Sequence, residues 1–356
     1  MDNAVGPVGL LMAAARAAEA SDAEPDWDAY RALSWETAGD SGEAALPCGL
    51  GLLGSADVLE RQVGCDLVGN AADQHAALRG EAATALVALA EAETEVCVLV
   101  SLVHGLGRTQ DPRAVPVLVR LSGHEDADLR RQVASDLTFA NSGLPDGPDV
   151  RALVRLTQDQ DREVRNWAAF TLGFQLEQDT AAIRDALWRC TSDEYHEVRE
   201  EGVRGLARRH DPRSVPLIAE LLDSEDGAHV LTFHAAEILG VPELLPALDT
   251  YEPGSTGTDS AVAACDPVRR ARMEDDAWAV VLELERLRPG LGAALCSPRY
   301  ESVHGLAVIH QEKADASYDA SYDAASLLAR AGGDPTRAAE LVAADLTAPA
   351  GSAPAD

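Results

Sequence analysis

The chain has 356 residues, 46% hydrophobic, 25% charged and only 4% aromatic, and a formal charge of −31 from 29 basic against 60 acidic residues. So acidic a surface repels phosphate backbones and anionic lipid, which disfavours nucleic acid and membranes as partners and suits a basic protein or peptide. The apolar share is mostly Ala, Leu and Val, a helical palette, and six scattered cysteines without a Cys-x-x-Cys pair read as small buried hydrophobes of a reducing compartment.

Residues 1–42 are expected to form an N-terminal cap: an Ala-rich helix over 1–20, an acidic linker over 21–26, and a helix over 27–37 whose Tyr30, Leu33 and Trp35 pack onto the next helices of the chain. The apolar stretch at 5–15 lacks a basic flank and is too short to span a bilayer. A cytoplasmic location is expected.

Over residues 43–251 a unit of about 34 residues recurs. Its copies are anchored on Leu59, Val96, Leu129, Val164, Val198 and Val230, at spacings of 37, 33, 35, 34 and 32 residues, and Arg130, Arg165 and Arg199 follow three of the anchors. Such a period belongs to stacked repeats, in which no unit buries its apolar face alone. Each unit reads as two antiparallel helices. The first helices, over 112–121 and 212–222, start from near-identical runs, Asp111-Pro112-Arg113-Ala114-Val115-Pro116 and Asp211-Pro212-Arg213-Ser214-Val215-Pro216. Asp suits the N-cap, and Pro at the first helical position loses nothing by lacking an N–H. The second helices start at the anchors, with core stripes at i, i+4 and i+8: Leu59, Val63, Leu67; Leu129, Val133, Leu137; and Val164, Ala168, Leu172. By the same alignment His104 falls on a core position.

Residues 252–266 read as a linker and 267–356 as a C-terminal helical cap with a partly disordered acidic tail. Residues 300–309 could be strand or loop, and 316–324 are low-complexity.

The Asp-Pro first helices, and second helices such as Val164-Arg165-Asn166-Trp167-Ala168-Ala169-Phe170-Thr171-Leu172-Gly173, resemble HEAT repeats, closest to the short bacterial, PBS-lyase HEAT-like variety. The resemblance covers roughly residues 43–251. It implies an all-α, right-handed solenoid of about six helical hairpins between terminal caps, with the second helices on the concave side. It also implies that Arg130, Arg165 and Arg199 pair with turn aspartates such as Asp126 and Asp161 in a structural ladder.

Among HEAT-like enzymes, deoxyhypusine hydroxylase binds two irons through His-Glu dipeptides on helices. Here His124-Glu125 and His196-Glu197 precede anchors, in turns, so no metal is expected. HEAT-like DNA glycosylases line their concave face with basic residues, against the charge of this chain, and nothing selects a bilin as in the tetrapyrrole lyases. No triad, phosphate loop or zinc spacing stands out, and no cofactor is expected.

The sharpest local feature is an aromatic row, Trp167, Phe170 and Phe174, off the core stripe of its helix. With Thr171 beside it, and Gln132 and Glu201 at the Trp167 position of neighbouring repeats, it forms a candidate partner-binding surface, because buried aromatics anchor protein interfaces. The function expected is a non-enzymatic scaffold or adaptor that binds a protein or peptide on its concave face. The alternative is a HEAT-like enzyme, of lyase or modifying type, with its site on that face.

Overall fold

A computed structural model describes residues 7–19, 27–40, 42–224, 227–252, 257–288, 291–296, 305–310 and 320–346. The acidic linker at 21–26, residues 316–319 of the low-complexity repeat and the tail beyond 346 lie outside them. The chain divides into two compact units, Met1–Arg199 and Glu200–Asp356.

In the first unit, α1 (Pro7–Glu19), α2 (Trp27–Asp40) and α3 (Gly42–Leu53) precede α4 (Val58–Gln74), and α2 and α3 both pack on α4. Three helical hairpins come next: α5 (Arg79–Leu89) with α6 (Val96–Thr109), α7 (Val115–Leu121) with α8 (Ala127–Asp136), and α9 (Pro148–Leu156) with α10 (Arg162–Phe170). Then come α11 (Ala181–Cys190) and α12 (His196–Arg208), whose residues from Glu200 on fall in the second unit. Second helices form one layer, α4 on α6, α6 on α8 and α8 on α10, while α7, α9 and α11 form another. Layers that bury their apolar stripes only against neighbouring repeats are what the period predicts.

Capping fixes where the second helices begin. Asp57, Asp126 and Asp161 each accept a bond from an N–H of the first turn, Asp126 from Leu129 at 2.9 Å and Asp161 from Glu163 at 2.9 Å and Val164 at 3.1 Å. Asp111 caps a single 3₁₀ turn, Pro112–Ala114, that leads into α7. The expected stripes of α4, α8 and α10 are core, none of their residues more than 7% exposed.

The stripe of α6 differs from expectation. Val98, Leu102 and Leu106 are fully buried, whereas Val96 is half-buried, so the anchor lies two residues later than the period suggests. At about 100° per residue, two residues turn a side chain to nearly the opposite face. His104 therefore leaves the core, and its side chain is 39% exposed. Two glycines let α4 and α6 close: a Cβ on Gly69 would stand 2.5 Å from the Gly105 Cα.

In the second unit, α13 (Ser214–Leu222), α14 (Val230–Leu239), α15 (Leu245–Leu248) and α16 (Thr258–Cys265) enclose one apolar cluster, in which Phe233 packs edge-on against Tyr251 at 5.0 Å. A second cluster joins α17 (Pro267–Leu287), α18 (Ala324–Arg330) and α19 (Pro335–Asp345). Asp266 and Asp334, each followed by Pro, cap α17 and α19. Between α17 and α18 the chain forms a small antiparallel sheet of β1 (Leu291–Cys296), β2 (Gly305–His310) and β3 (Ala320–Asp323), with Leu291 opposite His310 and Gly305 opposite Asp323. The open reading at 300–309 resolves to strand from Gly305 on. β1 and β3 escaped notice because apolar runs this short carry no decisive period. The repeat region remains an all-α solenoid of stacked hairpins.

Candidate functional site

The arginine ladder is present with different partners. Arg130 donates to both carboxylate oxygens of Asp159, at 2.7 and 2.8 Å, and through Nη1 to the carbonyls of His124 and Glu125, both at 2.9 Å. Arg165 repeats this on Asp193, at 2.7 and 3.0 Å, and on the carbonyls of Asp159 and Gln160. Arg199 grips the carbonyls of Asp193 and Glu194, at 2.8 and 3.1 Å. Asp126 and Asp161 are thus helix caps rather than ladder partners, because an N-cap side chain folds back onto its own first turn. An unanticipated first rung joins Arg61 to Glu93 at 2.7 Å, with Arg61 on the carbonyls of Ser55 and Ala56. Burial alone would raise the Glu93, Asp159 and Asp193 carboxyls. Their arginine and backbone N–H bonds outweigh it and hold all three below the usual range.

The aromatic row is assembled as a unit. Trp167 meets Phe170 edge-on at 5.7 Å, and Phe170 stacks on Phe174 at 5.7 Å with 23° between the planes. α10 runs on into a π-helical turn, Thr171–Gln175, which carries Phe174, and all three rings are partly exposed. Phe139, 48% exposed, holds in its own repeat the place that Phe174 holds in the next, ten residues after the anchor. Thr171 is not a surface residue: fully buried, it donates to the Ala134 carbonyl at 2.8 Å. Glu201, in the second unit, is 9% exposed and paired with Arg204 at 2.7 Å.

Gln132 belongs to a different feature, a cleft of about 570 Å³ in the first unit, walled by α2, α4, α6 and α8. Within it Tyr30 donates to Asp66 at 2.7 Å, and Ser101 also hydrogen-bonds that carboxylate. Asn70 donates to Ser34 at 2.9 Å. Arg108 donates through Nε to His104 Nε2 at 2.8 Å, pairs with Asp73 through Nη1, and lies 5.3 Å from the centre of the Trp35 ring. Since Nε2 accepts that bond, the ring proton sits on Nδ1, facing Asp136 at 3.4 Å. Asp136, 3% exposed, also receives the Gln132 amide. Burial raises the Asp66 carboxyl above the usual range despite the bonds from Tyr30 and Ser101 and the fields of His104 and Arg108. Sequence reasoning placed Tyr30 and Trp35 against the repeats but missed the cleft, which four helices far apart in the chain must build.

His124 accepts the Asp126 N–H, as a turn residue would, while His196 and Glu197 open α12 rather than lying in a turn, and pair with each other at 3.2 Å. No described helix is long and apolar enough to cross a membrane.

Stacked hairpins with capped second helices and a ladder of arginines define the class as an all-α solenoid. A family model of HEAT repeats matches residues 85–173 and 150–240, and the chain carries HEAT repeats there. It is 30% identical over 162 residues to the protein YibA of Escherichia coli strain K12, and equally to that of Escherichia coli O157:H7, covering 46% of this chain and 57% of each relative. The chain thus spans a little over half the length of the curated relatives it matches. Among solved structures, the X-ray structure of Escherichia coli YibA is 20% identical, with a TM-score of 0.53, over 74% of this chain and 98% of that one, and supports the fold. An engineered protein is 17% identical, with a TM-score of 0.45, over 78% and 84% of the two chains. The complex of CpcE and CpcF of phycocyanin lyase from Nostoc sp. PCC7120 is 18% identical, with a TM-score of 0.40, over 62% and 86%.

Proposed function

We propose that the protein is a non-enzymatic HEAT-repeat scaffold that binds a basic protein or peptide along the second-helix face of its first unit, with Trp167, Phe170 and Phe174 as the apolar anchor. The observation that supports this reading is a row of three partly exposed rings, Trp167 edge-on to Phe170 and Phe170 stacked on Phe174, with Phe139 at the equivalent place of the adjacent repeat. Rings held by one another lose little freedom on binding, which suits an anchor. The charge of −31 supports a basic partner by steering it at long range. Cys48, Cys65, Cys190 and Cys265 are free thiols, in keeping with a reducing cytoplasm. An enzyme would draw on the cleft at Tyr30, Asp66 and His104, but both ring nitrogens of His104 are engaged, so it has no lone pair to spare as a general base.

The test is partner capture from native extract by the full chain, run beside Trp167→Ala and Phe174→Ala with helicity monitored by circular dichroism. At least one partner retained by the wild type is expected to drop about tenfold or more with both variants. If both keep every partner at wild-type levels, the reading is wrong.

A further inference from the structure

The cleft walled by α2, α4, α6 and α8 lies outside the aromatic row, and it holds one carboxylate, Asp66. Arg108 is engaged by Asp73, by His104 and by the Trp35 ring. Asp136 is buried under Gln132 and His104, beyond the reach of a ligand. Arg31, the other arginine of the lining, is exposed, and the basic groups whose fields reach Asp66 are His104 and Arg108. Asp66 is left with two neutral hydroxyl donors, Tyr30 and Ser101, and among the described residues it forms no ion pair. A half-buried carboxylate with no direct ion-pair partner is costly.

We propose that this cleft binds one cationic group, a guanidinium or an alkylammonium, with Asp66 as its counter-charge. Tyr30 and Ser101 hold the carboxylate in place by their hydroxyls, so the incoming N–H donors meet an acceptor that is already oriented. Trp35, 43% exposed, and Val100 offer apolar wall to the methylene stem of such a group. The volume of about 570 Å³ lies within the range of small-ligand sites and exceeds what an ion alone needs. An anion is disfavoured at Asp66 itself, and Arg108, the arginine fixed beside it, is already paired with Asp73. Burial raises the Asp66 carboxyl, a cost that a cation placed against it would offset. The inference goes beyond the scaffold reading and stands apart from it, since Trp167 and Phe174 do not line this cleft.

The test is calorimetric titration of the full chain with methylguanidine, with n-butylamine and with the peptide Gly-Gly-Arg-Gly-Gly, against its citrulline and glutamate counterparts. Saturable binding of a cationic probe is expected, with little from the citrulline or glutamate peptides. Preference for a small amine identifies a free ligand, and preference for the arginine peptide identifies a side chain; either upholds the proposal. Asp66→Asn, which keeps the shape of the side chain, should weaken binding about tenfold or more, whereas Trp167→Ala should leave it unchanged. If Asp66→Asn does not fold, pH is the second measurement. Asp66 faces Tyr30 of α2 and His104 and Arg108 of α6, and wild-type affinity should fall as pH drops through its raised pKa and the carboxylate is neutralised. The proposal is overturned if no cationic probe binds saturably, if the glutamate peptide binds tighter than the arginine peptide, or if affinity ignores both Asp66→Asn and acid.

Discussion

Arg130 clasps Asp159 with two parallel hydrogen bonds across 29 residues of chain, while its third nitrogen ties down the turn that precedes its own helix. One side chain thus joins two successive repeats and a turn. Arg61, Arg165 and Arg199 share the grip on the turn, and Arg61 and Arg165 the grip on the next repeat. Because the Arg130 and Asp159 side chains are only 15% and 11% exposed, the pair is shielded well beyond an ordinary surface pair.

Arg130→Ala and Arg165→Ala should each destabilise the first unit by about 2–3 kcal/mol, the scale of charge-assisted bonds lost from a shielded site. Lysine should recover only part of this, since it cannot grip both oxygens and the carbonyls at once. Urea denaturation of the full chain reads the difference. Equal stability of Arg130→Lys and wild type would contradict the bidentate role.

The ladder also sets a pH dependence. Glu93, Asp159 and Asp193 have folded pKa values below their ordinary ones. Groups depressed in this way contribute stability that is fully present above the unfolded values, near 4, and is lost as pH falls through the folded values. The urea midpoint should therefore hold from neutral pH down to about 5 and then decline. Asp159→Asn should lower the neutral-pH midpoint and flatten that decline.

Helix approach can be tested with two glycines. Gly69→Ala must push its methyl into the backbone of Gly105 and should cost about 1–3 kcal/mol. Gly51→Ala, in α3, meets nothing within 4 Å and should gain about 0.5–1 kcal/mol from helix propensity. Melting curves of the two variants should shift in opposite directions.

The period, the Asp-Pro helix starts and the core stripes of α4, α8 and α10 were legible because each is written within one repeat. The register of α6 was not, since Val96 looks like its aligned neighbours while the burial begins at Val98, and that shift sends His104 into the cleft. The ladder was legible in its arginines but not its acids, because Asp126 and Asp161 satisfy their own helix ends and the partner lies at the following turn. Asp66 gives no local sign at all: its meaning comes from Tyr30, 36 residues earlier in the chain. His104→Leu provides a check. A core position would gain from leucine, whereas this site should lose about 1–2 kcal/mol as Asp136 and Arg108 each lose a partner.

The most direct measurement of the scaffold reading is hydrogen exchange on the full chain, alone and with a partner captured from extract. The reading predicts that partner binding slows exchange in α8, α10 and the π turn, over residues 127–136 and 162–175. Protection confined to other segments, with exchange in these three unchanged, would contradict it.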